Sequence, residues 1–418
     1  MDHSVLLAYP GKNQNVLADL LALQRADMLA LFCTTIALSP ASRVMGMLPA
    51  SLRADLERRV FDGVDMRRIR TFPTRELVRQ AARHLGLTSL TRHETGWASM
   101  DAVAQALDAQ VASLIRRGAV NASAVYGYEH STAESFRAAG EKGIRRIYEL
   151  TIGYWRVGLK ILSEERELKP EWAATLDVLR DSDAKNARKD AELSGADHVI
   201  VPSDFVRATL REHPGFGASI DVIPYGAPAP RRQASAREPR KDALRVLYVG
   251  HLSQRKGVSY LFEAMQRLEG LATLTLVGPK PDRECPALER ELQHHKWLGV
   301  VPHSRVLEVM GAHDIFVFPS LFEGMALVIP EAMSEGLPVI ATPNSGADMM
   351  VSSGVDGFIV PIRDAEAIVS RVTELARDRE RLAEMSRAAL AKAAQMSWAN
   401  RERLLIGTLR TRMVASDR

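Results

Sequence analysis

The stretch from Asp314 to Ile340 constrains the fold of this 418-residue chain more than any other. It begins with an apolar run of branched and aromatic residues, 315–318, which is typical of a buried strand. Residues 325–335 are predicted to form a helix that ends at Gly336, a residue suited to a left-handed C-cap. A second apolar run, 337–341, predicts another strand. This order of strand, loop, helix and strand indicates a parallel sheet, in which ligands bind at the carboxyl ends of the strands.

Two glutamates in this stretch suggest a sugar or nucleotide ligand. Glu323 lies in the loop at the end of the first strand, and Glu331 lies on the predicted helix. A carboxylate accepts two hydroxyl hydrogen bonds at once, which suits a sugar or a ribose diol. Gly324 lets the backbone approach a ligand closely, and the first amides of the helix, at 325–327, predict an anion site. The alternative is that both glutamates lie on a helix surface, with Glu323 favoured by the helix dipole.

The length of the chain predicts two or three domains, because a single hydrophobic core rarely organises more than about 300 residues. The sequence is 46% hydrophobic and 25% charged, which is typical of a globular protein. No apolar run approaches the roughly 18 residues of a membrane helix, and the first residues do not form a signal-peptide pattern. Cys33 and Cys285 fit neither a metal site nor a disulfide framework. We therefore expect a cytoplasmic protein.

Two series of alternating strands and helices predict an α/β protein with two doubly wound domains that face each other across a cleft. The first series begins with strands at 4–9 and 28–33 around a helix, and it lacks the glycine fingerprint of dinucleotide-binding folds. Residues 34–118 are predicted to be mostly helical. The predicted boundaries are a first domain at 1–226, a linker at 227–243, a second domain at 244–395 and a final helix at 396–418 that crosses back to the first domain.

The loop after the first strand of the second domain contains a basic pair. Gly250 ends the strand with room for a ligand, and Arg255 and Lys256 stand just before a helix. These cations could neutralise a departing diphosphate and so stabilise charge that develops in a transition state. The alternative is a pair of solvent-facing side chains in an exposed turn.

Several short motifs together resemble the family-4 glycosyltransferases, which are retaining, Leloir-type enzymes of the GT-B fold. The strong resemblance covers residues 244–365, and Met-Ser-Trp at 396–398 resembles the crossing helix of that family. The resemblance implies two Rossmann-like domains. The motifs are Val-Gly-His-Leu-Ser-Gln-Arg-Lys-Gly at 249–257, Trp-Leu-Gly-Val-Val-Pro at 297–302, Pro-Ser-Leu-Phe-Glu-Gly at 319–324, the Glu-x7-Glu pair at 323–331, Gly-Leu-Pro-Val-Ile-Ala at 336–341 and Gly-Val-Asp-Gly-Phe-Ile-Val at 354–360.

The resemblance implies a role for each matching residue. Lys256, with Arg255 or His251, would hold the donor diphosphate, while Glu323 would contact the hydroxyls of the donor sugar and Glu331 the ribose. No protein nucleophile is implied, because in this family the new bond is thought to form on the face from which the phosphate departs. No metal or other cofactor is expected. The implied donor-binding residues are Gly250, His251, Gly278, Leu298, Val300, Val301, Gly324, Met325, Ala326, Leu327 and Glu331.

Some positions depart from the pattern of that family. His251 stands where an arginine is common, and Ala326 replaces a common glycine. The loop after the first strand has only Gly11 where many relatives have a glycine pair, and we assign Gly11 to the acceptor side. For the histidine that many relatives carry near the donor sugar, the candidates are Glu129 and His130, which end a predicted strand facing the cleft. The alternative is that this pair caps a helix.

An arginine-rich segment of the first domain predicts contact with an anionic surface. Residues 51–85 hold nine arginines against five acids, an excess of four that equals the net charge of the whole chain. Apolar residues at helical spacing suggest amphipathic helices that could lie on anionic lipid. The alternative is a solvated basic face. Nucleic acid is not expected, because aromatic residues are sparse here and no binding module is recognisable. The arginines are Arg53, Arg58, Arg59, Arg67, Arg68, Arg70, Arg75, Arg79 and Arg83.

The sequence therefore predicts an enzyme that moves a sugar from a nucleotide-diphosphate donor to a glycan or lipid-linked acceptor. The expected context is polysaccharide or glycolipid assembly at the inner face of the membrane. The alternatives are a nucleotide-sugar epimerase and a noncatalytic nucleotide-sugar-binding subunit of the same fold. The presence of Lys256, Glu323 and Glu331 argues against the binding subunit.

Overall fold

A computed structural model describes residues 3–40, 42, 56–230 and 242–414. In this part of the chain, thirteen strands form two parallel sheets with the orders β3-β2-β1-β4-β5-β6-β7 and β10-β9-β8-β11-β12-β13. The strands are β1 (Val5–Ala8), β2 (Leu29–Thr34), β3 (Ile69–Thr71), β4 (Ala124–Tyr128), β5 (Arg145–Glu149), β6 (His198–Val201), β7 (Ser219–Val222), β8 (Leu244–Val249), β9 (Ala272–Val277), β10 (Lys296–Trp297), β11 (Ile315–Phe318), β12 (Val339–Ala341) and β13 (Gly357–Ile359). The α-helices are α1 (Gln14–Arg25), α2 (Thr74–His84), α3 (Thr88–Thr91), α4 (Met100–Arg116), α5 (Ala133–Glu141), α6 (Trp155–Leu168), α7 (Asp183–Ser194), α8 (Asp204–Thr209), α9 (Val258–Arg267), α10 (Pro286–Leu292), α11 (His303–Gly311), α12 (Val328–Ser334), α13 (Ala365–Arg377), α14 (Arg379–Gln395) and α15 (Trp398–Val414).

The first sheet is buried on both faces. Along β1, Leu6 and Ala8 pack into one hydrophobic core, and Val5 and Leu7 pack into another on the opposite face. This is the burial expected of a parallel sheet covered by helices on both sides, and it explains why the strands read as continuous apolar runs. The two doubly wound domains predicted from the sequence are present.

Most predicted strands match the structure to within two residues at each end. Gly336 has a φ of +78°, and its amide and that of Leu337 bond the last carbonyls of α12, as predicted for a left-handed C-cap. The prediction of a mostly helical stretch at 34–118 missed β3. This strand is three residues long at the edge of the sheet, and Arg70 and Thr71 are exposed, so it lacks an apolar run. The two-residue β10 was missed for the same reason.

The strand order places one topological switch point in each sheet. In the first sheet, the chain moves outward from β1 to β2 and β3, and then returns to β4 on the other side of β1. In the second sheet, β8 and β11 are related in the same way. Ligands of doubly wound proteins bind beside the carboxyl ends of the strands at such points. The loops after β1, β4, β8 and β11 are therefore where a site is expected.

The last helix, α15, packs on the first domain through a buried charge network. The Arg401 side chain is 1% exposed and bonds Asp19 of α1 at 2.8 and 2.9 Å and Glu149 at the end of β5 at 3.0 Å. Its guanidinium also donates to the Ile223 carbonyl and lies 4.7 Å from the ring centre of Tyr225. Burial raises the pKa of Glu149, and the positive charge of Arg401 opposes this shift. One cation thus joins two carboxylates that belong to different elements of the first domain.

The predicted linker, 227–243, lies largely outside the described residues. Where its start is described, Ala227 pairs with Ser397 just before α15. A Cβ at Gly226 would lie within 2.6 Å of the Trp398 backbone and ring, so only glycine fits there.

The arginine-rich segment does not place its arginines on one face. Arg53 lies outside the described residues. Arg59 points inward to the buried Glu76, whereas Arg67 and Arg68 pair with Asp65 and Asp27. Contact with anionic lipid stays a prediction. Within the described ranges, no helix combines the length and the apolar character needed to cross a membrane.

The Arg401 network predicts a large loss of stability on its removal. Arg401→Ala leaves two buried carboxylates without their cation, which typically costs about 3–5 kcal/mol. Urea unfolding should report this loss, whereas Arg403→Ala, an exposed arginine of the same helix, should change the free energy of unfolding little. Equal stability of the two variants would show that α15 is held by its apolar residues alone.

Candidate active site

The structure places the predicted site residues at the two switch points. Gly11 follows β1, and Glu129 and His130 follow β4 in the first sheet. Gly250 to Lys256 follow β8, and Glu323 follows β11 in the second sheet. These residues are far apart in the sequence but lie at the carboxyl edges of neighbouring strands.

The basic pair of the second domain converges on Glu323. Arg255 Nη1 lies 3.1 Å from Glu323 Oε2 and donates to the Phe322 carbonyl at 2.8 Å, and Lys256 Nζ forms an ion pair with the same carboxylate oxygen. The three side chains are only 12–21% exposed, so the alternative of solvent-facing cations is wrong. Burial lowers the pKa of Lys256, and so does the neighbouring Arg255. The Glu323 carboxylate favours the charged ammonium.

The turn that carries Arg255 and Lys256 is held from the first domain. Glu165 of α6 is fully buried and accepts hydrogen bonds from Gln254 at 2.7 Å, from Tyr260 at 2.9 Å and from Arg363 at 2.7 Å, all in the second domain. The Gln254 amide donates to Thr175 Oγ1 at 2.8 Å. The chain from 161 to 179 thus packs largely against the second domain, although it precedes the predicted linker.

The loop that carries Glu323 is also held from the first domain. The Phe322 ring lies against Gly153 and Gly158, where a Cβ would approach ring atoms to within 2.8 Å. A Cβ at Gly324 would overlap the Thr151 carbonyl oxygen, and the Gly324 carbonyl accepts from Ser203 Oγ at 2.7 Å. The approach of the Gly324 backbone to a ligand stays a prediction. The missing side chain of Gly324 lets the two domains meet.

The amides before α12 differ from the predicted anion site. The helix begins at Val328, three residues later than predicted. The Ala326 amide donates to the Ser345 carbonyl at 3.0 Å and is not free for a phosphate. Met325 is buried, and its sulfur accepts from the Tyr225 amide, while the Leu327 carbonyl accepts from the backbone amide of Glu331. An anion site at the Met325 and Leu327 amides stays a prediction.

Glu331 is 5% exposed, so the alternative of a surface glutamate is wrong. Its carboxylate lies 2.9 Å from Nε2 of His303, the first residue of α11. The hydrogen bond to Glu331 raises the pKa of His303, although burial opposes it. No motif in the sequence points to His303. Its one signal is its place just after the 298–301 loop, whose residues Leu298, Val300 and Val301 the resemblance places at the donor.

The loops after β8, β9 and β10 meet closely. A Cβ at Gly278 would overlap the carbonyl oxygen of Gly250, and the Gly278 amide donates to the Gly299 carbonyl at 2.8 Å. In the loop between β10 and α11, Leu298 and Val301 pack against the core and Val300 is exposed. His251 is half-buried, and burial lowers its pKa. These contacts connect the predicted diphosphate region to Glu331.

Glu129 and His130 do not cap a helix. The amides at the start of α5 are taken by Asp108, which accepts from Glu134 at 2.7 Å and from Ser135 at 2.8 Å, so the capping alternative is wrong. His130 has a φ of +78°, which is uncommon for a residue with a side chain and often marks a functional position. Its Nε2 lies 3.4 Å from Glu129, and its buried Nδ1 has no hydrogen-bond partner among the described residues.

In the described part of the chain, one group of three side chains could hold a metal ion: His93, Glu94 and Asp181. Asp181 already accepts from Lys185 and Lys189 at 2.9 and 2.8 Å. Two neighbouring ammonium groups disfavour a further cation at this position. A reaction that needs no metal stays a prediction.

The family match covers mainly the second domain. Residues 231–392 match the model of a family described as glycosyl transferases group 1. The chain is 31% identical over 219 residues to the sucrose synthase of Acidithiobacillus caldus, a match that covers 46% of this chain and 28% of that enzyme. The chain covers less than half the length of this and other curated relatives at about 30% identity. These matches support a glycosyltransferase.

Solved structures similar to the whole chain show its fold. The sucrose-phosphate synthase of Thermosynechococcus elongatus aligns with a TM-score of 0.67 at 20% identity, over 99% of this chain and 100% of that one. HepE of Anabaena, in complex with UDP and glucose, aligns with a TM-score of 0.63 at 18% identity, over 98% and 99%. The predicted GT-B fold is confirmed.

Proposed function

We propose that this protein is a retaining glycosyltransferase, which moves a sugar from a nucleotide-diphosphate donor to a hydroxyl of a glycan or lipid-linked acceptor. The observation that carries the proposal is the convergence of Arg255 and Lys256 on Glu323 at the carboxyl edge of β8 and β11. Two cations and one carboxylate, largely removed from water, provide partners for both charged and hydroxyl groups of such a donor.

The ion pair in this structure suggests how the donor would bind. A diphosphate carries more negative charge than Glu323 and competes with it for Arg255 and Lys256. The carboxylate is then released to accept hydrogen bonds from sugar hydroxyls. Glu331 would take the ribose hydroxyls in place of His303, and the base would lie against Gly278 and the 298–301 loop. HepE, which shares the fold, is described in complex with UDP-glucose, so we propose UDP-glucose as the first donor to test.

The basic pair would also serve the chemical step. The bond between the anomeric carbon and the phosphate oxygen breaks, and the acceptor oxygen bonds to that carbon on the same face. The departing phosphate takes the proton of the acceptor hydroxyl. Negative charge grows on the diphosphate in the transition state, where fixed cations stabilise it without reorganisation. In the first domain, His130 and Glu129 follow β4 at its switch point, and we propose that they contact the donor sugar.

A lipid-linked acceptor is favoured by exposed apolar residues in the first domain. Large apolar side chains that are 46–71% exposed recur in the short segment 77–100, around α2 and the start of α4. Exposed apolar groups beside basic residues are typical of surfaces that meet a membrane interface. They are Leu77, Leu85, Leu87, Trp97 and Met100.

The proposal is tested with a panel of nucleotide sugars, scored for release of the nucleoside diphosphate with and without acceptor sugars. Transfer with retention of the anomeric configuration, read by proton NMR of the product, supports it. Interconversion of the nucleotide sugars would identify an epimerase. Tight binding without any turnover across the panel would favour the noncatalytic binding subunit.

Lys256→Ala should lower kcat by at least about 100-fold, because a preorganised cation contributes more as the diphosphate leaves than in the ground state. Steady-state kinetics with the donor found in the panel measure this effect. Lys296→Ala, which removes an exposed lysine of the same domain, is the matched control and should leave kcat unchanged. A change confined to KM would show that Lys256 only binds the donor.

The contact between His303 and Glu331 predicts a pH effect on nucleotide binding. The pKa of His303 is raised, so the imidazolium persists above its ordinary range and competes for Glu331. Deprotonation as the pH rises from about 6 to about 8 should weaken this competition and tighten binding of the nucleoside diphosphate. Calorimetry should show that the affinity for the nucleoside diphosphate rises more steeply with pH for the wild type than for His303→Gln, whose side chain cannot become charged. Equal slopes would mean that Glu331 does not bind the nucleotide.

A further inference from the structure

A buried carboxylate lies beneath the loop that carries His130. Glu192, in the last turn of α7, is 1% exposed, and its two oxygens accept from the backbone amides of His130 at 2.8 Å and of Thr132 at 3.2 Å. Both amides belong to the loop after β4, residues 129–132. A side chain that is distant in the sequence thus accepts from two donors of this loop at once.

No ion pair accounts for the burial of Glu192. Within the described ranges no cation pairs with its carboxylate, and the Tyr148 hydroxyl lies 3.5 Å away. Burial raises the pKa of Glu192 to about 8, Glu129 and Asp108 add to this shift, and the two loop amides oppose it. Ionisable groups whose pKa is perturbed in this way are concentrated at functional sites.

The loop after β4 adopts a conformation that needs such support. His130 has a φ of +78°, in the left-handed region that residues with a Cβ rarely occupy. A Cβ at Gly127 would lie 2.4 Å from Thr132 Cγ2, so this glycine makes room for the loop. Strained backbone conformations persist only where the surrounding contacts fix them. The hydrogen bonds to Glu192 are contacts of this kind, and one of them is made by His130 itself.

The side chain of His130 retains free hydrogen-bonding capacity. Its Nδ1 and the Thr132 Oγ1 are buried and have no hydrogen-bond partner among the described residues. The imidazole is 34% exposed, and burial lowers its pKa although Glu129 opposes the shift. A neutral imidazole can both donate and accept, which suits a sugar hydroxyl. The orientation of this ring depends on the backbone that Glu192 holds.

The helix that carries Glu192 is itself fixed to its surroundings. Lys185 Nζ lies 3.2 Å from Asp101 Oδ1 in the first turn of α4 and 2.9 Å from Asp181 Oδ1, and Arg188 Nη2 lies 3.6 Å from Asp101 Oδ1. These ion pairs join α7 to α4. Glu192 therefore extends from a firm support.

A second buried carboxylate provides a matched control. Asp108 of α4 is 4% exposed and also accepts from two backbone amides, those of Glu134 at 2.7 Å and Ser135 at 2.8 Å. These amides belong to the first turn of α5, where a helix needs acceptors for its free N–H groups. Asp108 thus anchors the helix, whereas Glu192 holds the loop that precedes it.

We propose that Glu192 is a positioning residue, which fixes the loop after β4 so that the His130 imidazole meets the donor sugar. The inference rests on the proposed glycosyl transfer and adds a residue that acts on the sugar only through His130. Reacting groups must be held closely in place, and a displacement of about 1 Å can cost about 100-fold in rate.

Histidine NMR tests the positioning without any donor. In isotope-labelled protein, the ring signal that is absent from His130→Ala identifies His130. Glu192→Gln places an NH2 group, which cannot accept, against one of the loop amides and should move this signal. Asp108→Asn should lower the unfolding temperature but leave the signal in place. If Glu192→Gln fails to fold, Glu192→Asp, which is one methylene shorter, replaces it. An unmoved His130 signal in a folded Glu192 variant overturns the proposal.

A double-mutant cycle tests the consequence for catalysis. With the donor found in the panel, Glu192→Gln should lower kcat by about 10- to 100-fold and leave the affinity for the nucleoside diphosphate unchanged. In the His130→Ala background the same change should lower kcat no further, because residues that act through one another are not additive. Asp108→Asn should retain the wild-type kcat.

The outcomes of the cycle separate this proposal from the proposed function. Equal losses of kcat with and without His130 would show that Glu192 does not act through this residue, which overturns the proposal. A panel without any turnover would contradict the proposed glycosyl transfer. A moved His130 signal in Glu192→Gln would even then support the positioning of His130 by Glu192.

Discussion

The charged residues of the second domain depend on contacts made by the first domain. Glu165, buried on α6, accepts from Gln254 and thereby fixes the turn that carries Arg255 and Lys256. Phe322 lies against Gly153 and Gly158 and holds the loop that carries Glu323. Truncation of a buried Phe side chain typically lowers the free energy of unfolding by several kcal/mol, so the Phe322 contact contributes substantially to stability. The geometry of this charged site is therefore a property of both domains.

The buried network around Arg401 also supports the loop that carries Glu323. Arg401 bonds Glu149 at the end of β5, and Thr151, two residues later, meets the backbone of Gly324. The last helix thus stabilises the strand end that contacts the Glu323 loop. This explains in physical terms why a chain of two domains returns to the first one at its end.

The sequence predicted the features that depend on local pattern. Apolar runs located the strands, and Gly336 marked the end of α12 because only a glycine takes a positive φ there without strain. The order of the strands then brought Lys256 and Glu323 to one edge, as the motifs implied. Each of these predictions needed only neighbouring residues or the general rule for parallel sheets.

The features that the sequence missed depend on distant partners. The start of α12 is delayed because the Ser345 carbonyl accepts from the Ala326 amide, and Gly324 also leaves room for the Thr151 carbonyl. The contact between His303 and Glu331 could not be predicted for the same reason, because the two residues are distant in the sequence. The arginine-rich segment was predicted to form one basic surface, because nothing local showed that Arg59 would pair with the buried Glu76 while Arg67 and Arg68 pair with Asp65 and Asp27.

In the proposed mechanism, the edge of β8 and β11 binds a nucleoside diphosphate through the basic pair. A crystal structure of the protein with the nucleoside diphosphate released in the panel tests it most directly. We expect the diphosphate to contact Arg255 and Lys256, the ribose hydroxyls to contact Glu331, and the ion pair between Lys256 and Glu323 to be broken. A nucleotide bound elsewhere, with that ion pair intact, would contradict it.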